Sequence, residues 1–185
     1  MAPRSKTSHF ILTFFFRLAI FLCLSKAYGH LQLKETNLTF YFQDYTAGTN
    51  KTDAIVTGIA GQVWSFNSFG TIAVDDDPIT IGPSKDSPQI GRAQGFLIIS
   101  SLDAFYALSM TTFLFTNQEY NGSTLQLQGS VFNLATIGQS FGEIAVIGGT
   151  GKFRFASGFA TFYFVSYDTT LSYSVTQCNI TILHY

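Results

Sequence analysis

The chain has 185 residues, 46% of them apolar and 16% aromatic, with a formal charge of −1: material for one domain and a short extra segment. Past residue 29, six lysines and arginines face eleven acids, a charge of −5 that excludes a basic nucleic-acid face. Two cysteines and three histidines leave almost nothing from which to build a Ser-His-Asp triad, a histidine-rich metal site or a disulfide framework.

Residues 1–29 read as a secretory signal peptide. Arg4 and Lys6 make the basic start, Phe10 to Leu24 is almost wholly apolar, and Ser25, Ala27 and Gly29 allow cleavage after Ala27 or after Gly29. As a membrane anchor the run falls short of the ~20 residues that span a bilayer, and Arg17 interrupts it. The expectation is a secreted chain with no membrane segment after cleavage and one domain over residues 30–185. Cys23 leaves with the leader, so Cys178 reads as a lone, buried, small hydrophobe. Asn37-Leu-Thr39, Asn50-Lys-Thr52, Asn121-Gly-Ser123 and Asn179-Ile-Thr181 are glycosylation sequons in that secreted part.

The domain shows alternation and no 3.6-residue period. Leu38 to Asp44 reads as a strand, and Ala54 to Ala60 as another. Gly70 to Thr80 is a strand closing in an acidic turn at Asp77-Pro78. Asp75–Asp77 reads most simply as a solvated cluster with Arg92 as its ion-pair partner, a calcium site being the alternative. Residues 92–101 form the next strand. Ala104 to Phe115 and Ser123 to Gly129 make a hairpin, whose Asn121-Gly122 predicts a type I′ turn because both central positions need positive φ. Residues 142–147, 153–166 and 171–183 complete the set. The apolar phase shifts from Leu171, Tyr173 and Val175 to Cys178, Ile180 and Ile182, which predicts a β-bulge near Gln177 and puts Asn179 and Thr181 in solvent. Eight or nine strands and no helix predict an antiparallel barrel or sandwich, and outward aromatic residues predict a subunit interface.

The stretch Gly148-Gly149-Thr150-Gly151-Lys152 invites a phosphate-loop reading, which fails on spacing. A Walker pattern needs Gly where Val146 stands and a hydroxyl where Phe153 stands. A dinucleotide pattern needs its third glycine at Arg154, and the residues after Lys152 are strand-like rather than helical. The glycines read as a tight connection between strands, supplying positive φ.

Four segments then carry a family resemblance: Phe40 to Asp44, Asp76 to Thr80, Gly91 to Phe96, and Val146 to Ala160. In order and spacing, over residues 38–183, they resemble plant dirigent proteins. The resemblance implies an all-β fold, an eight-stranded antiparallel β-barrel with a ligand cavity, related to the allene oxide cyclases. It implies an extracellular plant protein of the apoplast or cell wall, assembled as a homo-oligomer (trimer or dimer), without metal ion or organic cofactor. Its partners would be phenolic radicals, made by a separate laccase or peroxidase, or quinone methides. It would steer radical coupling in lignan and phenylpropanoid metabolism, linked to plant defence, or close rings as in pterocarpan formation.

The resemblance also assigns pocket residues. Asp44 matches the first-strand acid of lignan-forming members, and is the candidate catalytic residue if burial raises its pKa; a solvated strand-end carboxylate is the alternative. Phe42, Leu97 and Ile99 are the expected pocket wall, the last two standing where tyrosines are expected. Gly142 stands where an arginine is expected, beside Glu143, and Gly129-Ser130-Val131 replaces a segment that ends in an acid. One carboxylate against an apolar wall would leave little general acid chemistry. Tyr41 or Arg92 could compensate in part, though alternation puts Tyr41 on the face opposite Asp44. The competing reading is therefore a barrel that binds phenolics or helps assemble the wall without catalysis. An isomerase akin to allene oxide cyclase rests on fold analogy alone.

Overall fold

The computed structural model describes Phe14, residues 16–20, 32–133 and 136–185. The chain divides into two compact units, Met1–Leu33 and Lys34–Tyr185. In the first, Phe14 and residues 16–20 are helical, while most of the leader and both cleavage points lie outside the described residues. Among the described residues no helix is long and apolar enough to cross a membrane.

The second unit is built from nine strands. They are β1 (Lys34–Tyr45), β2 (Asp53–Thr57), β3 (Ile72–Thr80), β4 (Gln89–Ile99), β5 (Tyr106–Phe115), β6 (Thr124–Phe132), β7 (Ser140–Thr150), β8 (Ser157–Asp168) and β9 (Tyr173–His184). All pairings are antiparallel, and the sheet runs β1-β9-β8-β7-β6-β5-β4-β3-β2. A further pairing of β1 with β3 closes β1 and β3–β9 into an eight-stranded barrel, with β2 left beside β3. Closure removes the sheet edges that an open antiparallel sheet would expose.

The seam is short. β1 meets β3 at only two residue pairs, Tyr41 with Thr80 and Phe42 with Ile79. Pro78 explains where it stops. The Asp76 N–H donates to Thr52 O at 2.9 Å, so even-numbered residues of β3 direct their N–H away from β4. The missing N–H of Pro78 therefore falls on the β1 side, one residue beyond the last pair. Beyond that point β1 and β3 part, and β2 pairs with β3 instead, Asp53 opposite Asp75. The turn expected at Asp77-Pro78 is thus a strand, continuous to Thr80.

One end of the interior is filled. Phe40 lies edge-on to Phe113, ring centroids 5.1 Å apart, and to Phe115 at 6.2 Å. A single 3-10 turn, Gly151–Phe153, follows β7 and drives the fully buried Phe153 ring against Phe115 at 5.5 Å. The glycine stretch accordingly differs from the expected loop. Gly148 and Gly149 belong to β7; a Cβ on Gly149 would collide with Phe153 O, and only Gly151 needs its positive φ of 62°.

Two further expectations are corrected. The β5–β6 connection is a hairpin but not a two-residue type I′ turn: it spans residues 116–123, and Gly122, not Asn121, has positive φ. Tyr120 accounts for the width, because its ring packs on Phe115 at 5.6 Å and on Phe153 at 5.0 Å. The bulge expected near Gln177 is absent from β9, which pairs with β1 without interruption from Tyr173 to His184. The register shift lies across from it, between Phe164 and Ser166 of β8. Cys178 is buried inside with Ile180 and Ile182, where burial pushes its thiol pKa up.

The closed end predicts a measurable cost. Phe153→Ala removes a ring packed against Phe115 and Tyr120 and should destabilise the barrel by roughly 3–5 kcal/mol, read from urea unfolding. An unchanged midpoint would contradict the role given to this turn.

Candidate functional site

The other half of the barrel holds a cavity of about 170 Å³. Strand alternation sorts its walls. From β1, Phe42 and Asp44 face inward; from β3, Asp75 and Asp77; from β9, Thr176. Leu97 of β4, Ser109 and Thr111 of β5, Val131 of β6, Phe141 and Ile144 of β7, and Phe162 of β8 close the far side. Asp53, the first residue of β2, enters through the parted seam. The result is one apolar, aromatic wall facing four carboxyl groups.

The sequence reading found one of the four. Asp75 and Asp77 were missed because D-D-D-P looked like a turn, and Asp53 because it stands just before the strand expected from Ala54. Alternation carried the signal: Ala73 and Ile79 are buried in the same phase as Asp75 and Asp77. Asp76, in the opposite phase, faces outward and accepts from Arg92 Nε at 2.5 Å. The ion pair expected for Arg92 therefore involves Asp76 alone, and the solvated cluster is in fact split between two faces. Among the described residues, no group of three or more His, Cys, Asp or Glu side chains is arranged to hold a metal ion.

Hydroxyls orient two of the carboxyls. Ser174 Oγ donates to Asp44 Oδ2 at 2.9 Å, leaving Asp44 Oδ1 buried with no hydrogen-bond partner. Thr52 Oγ1 donates to Asp77 Oδ1. Asp53 Oδ1 is likewise buried without a partner. These groups prefer the neutral form because burial strips them of water and each sits in the field of the others. Burial raises Asp44, with Ser174 opposing. Burial, then the Asp44 and Asp75 charges, push Asp53 up to about 7. Burial, then the Asp44 and Asp76 charges, bring Asp75 to about 7. Asp77 reaches about 8, through burial and the Asp44 charge, with the Thr52 hydroxyl opposing. The Asp44 charge raises the other three, and of those three Asp77 keeps its proton longest.

The other expected residues divide between the cavity and the surface. Phe42 and Leu97 line the cavity; Ile99 sits beyond it in a small cluster with Ala104 and Ala107. Val131 occupies the wall where the resemblance placed an acid. Gly142 adopts φ 108° at a register shift in β7, a conformation an arginine would rarely take, and Glu143 is exposed. Asn50 and Asn121 are exposed in connections. Asn37 and Asn179 lie on the outer faces of β1 and β9, Thr181 Oγ1 donating to Asn37 Oδ1 at 2.7 Å and Thr39 Oγ1 to Asn179 Oδ1 at 2.9 Å.

An antiparallel barrel filled at one end, with an acid-lined cavity at the other, offers a space of small-molecule size bordered by groups capable of proton transfer. The family model described as Dirigent-like protein matches residues 35–183, and the chain belongs to this dirigent family. It is 35% identical over 157 residues to pterocarpan synthase 1 of Glycyrrhiza echinata, covering 85% of this chain and 82% of that protein. It is 37% identical over 150 residues to dirigent protein 11 of Arabidopsis thaliana, covering 80% and 76%. A solved structure of a pterocarpan synthase dirigent protein superposes with a TM-score of 0.75 at 35% identity, over 86% of this chain and 96% of that one.

The raised carboxyls fix the sign of a pH effect. In the unfolded chain an aspartate ionises near 3.9, whereas Asp53 and Asp75 hold their protons to about 7 and Asp77 to about 8. The folded state binds more protons between those values, so stability is highest at acid pH and falls as pH rises from about 4 to about 8. Asp75→Asn removes one such group and should raise stability at pH 8 by roughly 1–3 kcal/mol while flattening the pH dependence. Urea unfolding at pH 5 and pH 8 checks both; a variant less stable than wild type at pH 8 refutes the burial argument.

Proposed function

We propose that this protein closes a ring on a phenolic substrate by stereoselective loss of water, through a quinone-methide-like species held against the aromatic wall. The carrying observation is the set of four inward carboxyls opposite Phe141 and Phe162 in one cavity. Dirigent-family proteins act on phenolic substrates, and two relatives of similar length are named pterocarpan synthases.

The chemistry needs an acid and a base whose proton affinities are pushed apart. A protonated carboxyl, Asp77, gives its proton to a benzylic hydroxyl; the C–O bond breaks and water leaves. Asp44, acting as the carboxylate, stabilises the positive charge that develops. A phenol oxygen elsewhere in the same molecule then forms the new C–O bond and releases its proton to the Asp44 carboxylate. Proton exchange between the two carboxyls restores the starting state, with neither oxidant nor reductant consumed. The low-dielectric wall strengthens each of these interactions, and shape decides which face closes.

Stereoselective coupling of externally generated phenoxy radicals, as in lignan formation, is the other reading, supported by kinship with proteins named only as dirigent. The non-catalytic reading assumed a cavity stripped of polar groups; four carboxyls and the hydroxyls of Ser109, Thr111 and Thr176 remove that assumption. Secretion to the cell wall rests on the leader-like residues 1–29 and the sequons at Asn37, Asn50, Asn121 and Asn179. Outward Val74, Met110, Ile147 and Phe159, each about half exposed, support self-association as a trimer or dimer.

Incubation with an isoflavanol bearing a free ortho-phenol, with chiral chromatography of the product, tests the main reading. One enantiomer of the ring-closed product should form in excess. Asp44→Asn should lower kcat by roughly 10²-fold. A racemic product at the uncatalysed rate, together with an enantiomeric excess from coniferyl alcohol and laccase, would favour the radical reading instead.

A further inference from the structure

Thr52 joins the three segments that meet at the parted seam. Its N–H donates to Tyr45 O at 2.8 Å, and its carbonyl accepts from Asp76 N–H at 2.9 Å. Its hydroxyl oxygen accepts from Tyr45 N–H at 3.0 Å, and its hydroxyl hydrogen goes to Asp77 Oδ1. A threonine hydroxyl has a single hydrogen. The oxygen keeps a second lone pair after accepting from Tyr45, but if it accepted from Asp77 as well, its own hydrogen would have no acceptor among the described residues; the arrangement that satisfies both groups has Thr52 donating to Asp77. In that arrangement Asp77 Oδ1 accepts in both ionisation states, and a neutral Asp77 carries its proton on Oδ2.

We propose that Thr52 is a positioning residue of the site: its hydroxyl fixes the Asp77 carboxyl at the seam so that the transferable proton sits on Oδ2 and is delivered to the cavity. In its kinetic consequences this rests on the ring-closure reading; in its titration consequences it does not. The same geometry explains why the seam can be open without being loose. Beyond Phe42 the β1–β3 ladder is gone, and the Thr52 bonds to Tyr45, Asp76 and Asp77 bridge the gap.

The groups facing Asp77 are Asp44 from β1, Asp53 from β2 and Asp75 from β3 itself. The charged residue of β4, Arg92, is turned outward onto Asp76. The cavity residues of β5 and β9, namely Ser109, Thr111 and Thr176, are uncharged. No cation among the cavity-lining residues therefore stands in for the hydroxyl if it is removed. Thr52 is also the third residue of the sequon Asn50-Lys51-Thr52, which gives it a rival reason to be present. The two roles separate cleanly, since Asn50→Gln destroys the sequon and leaves the hydroxyl.

The test is a carbon-13 titration of the aspartate carboxyls in the full-length protein, with the Asp77 resonance assigned by its loss in Asp77→Asn. Thr52→Val, which keeps the shape and both backbone bonds, should move the Asp77 midpoint up by roughly one pH unit, because a donor to the charged form is lost. Thr52→Ser and Asn50→Gln should titrate as wild type. If Thr52→Val does not fold, Thr52→Ala reads the same shift. On the isoflavanol, the alkaline limb of kcat/KM should follow that shift in Thr52→Val, with kcat down about tenfold and rescued in Thr52→Ser. An unmoved Asp77 midpoint in the valine or alanine variant overturns the proposal, as does an equal shift in Asn50→Gln. Wild-type protein inactive on the isoflavanol sinks the ring-closure reading instead, and the titration still decides the role of Thr52.

Discussion

A proline that cannot donate a hydrogen bond governs how this barrel is put together. Pro78 stands on β3 where the next rung to β1 would form, and the ladder between those strands ends one residue earlier, at Phe42 and Ile79. Had the seam zipped on, Asp44 and Asp77 would lie on adjacent paired strands with no room between. Because it parts, β2 pairs along β3 and brings Asp53 to the opening, and the β1–β2 connection brings Thr52. The acidic half of the cavity is thus a consequence of one missing N–H. The apolar half comes from ordinary alternation on the other strands.

Placing four carboxyls in such a cavity is costly, and the way the fold contains that cost bears on what the site can do. Each prefers to be neutral once buried, and the first to ionise makes ionisation harder for the rest. A cluster of this kind holds both carboxyl and carboxylate near neutral pH, with no histidine among the residues lining it. An enzyme that must give a proton to one oxygen and take one from another needs that mixture. The stability lost on raising the pH and the chemistry gained share one origin. The tightly packed opposite end, with Phe40, Phe113, Phe115 and Phe153, offsets it.

Much of the fold was legible because alternation is a direct consequence of strand geometry. The strand segments and a barrel-or-sandwich class come from period-two patterning, the rejection of a phosphate loop from spacing and the strand-like residues beyond the glycines, and the eight-stranded barrel from the family resemblance. The misreadings share one cause. Asp-Asp-Asp-Pro, Asn-Gly and Gly-Gly-Thr-Gly were judged by local turn propensity, and in each case a long-range contact decides the outcome. Pro78 is tolerated because its bare face meets the seam. Tyr120 widens the hairpin by packing on the sealed end, and Gly149 is dictated by the approach of Phe153 O rather than by its own φ. The site was a quarter legible for the same reason: Asp44 sits in a regular apolar strand, while its three partners sit where the sequence looks like a loop.

Family resemblance alone pointed to a depleted pocket, and the geometry shows why that inference was incomplete. The positions checked for polar groups, Leu97, Val131 and Gly142, belong to β4, β6 and β7, the wall that here is apolar or bent by a bulge. The four carboxyls are on β1, β2 and β3, around the seam. Under the ring-closure proposal, a substrate with one face against Phe141 and Phe162 would meet its proton donor and acceptor on the opposite side, next to the seam, where β1 and β3 are no longer zipped by backbone hydrogen bonds. Proton transfer at that wall depends on side-chain hydroxyls, Thr52 on Asp77 and Ser174 on Asp44, to hold carboxyls that the sheet itself does not hold. That proposal thus assigns stereochemistry and proton delivery to opposite walls, so sequence changes on the aromatic wall would alter which face of a phenolic closes without disturbing the acid that starts the reaction.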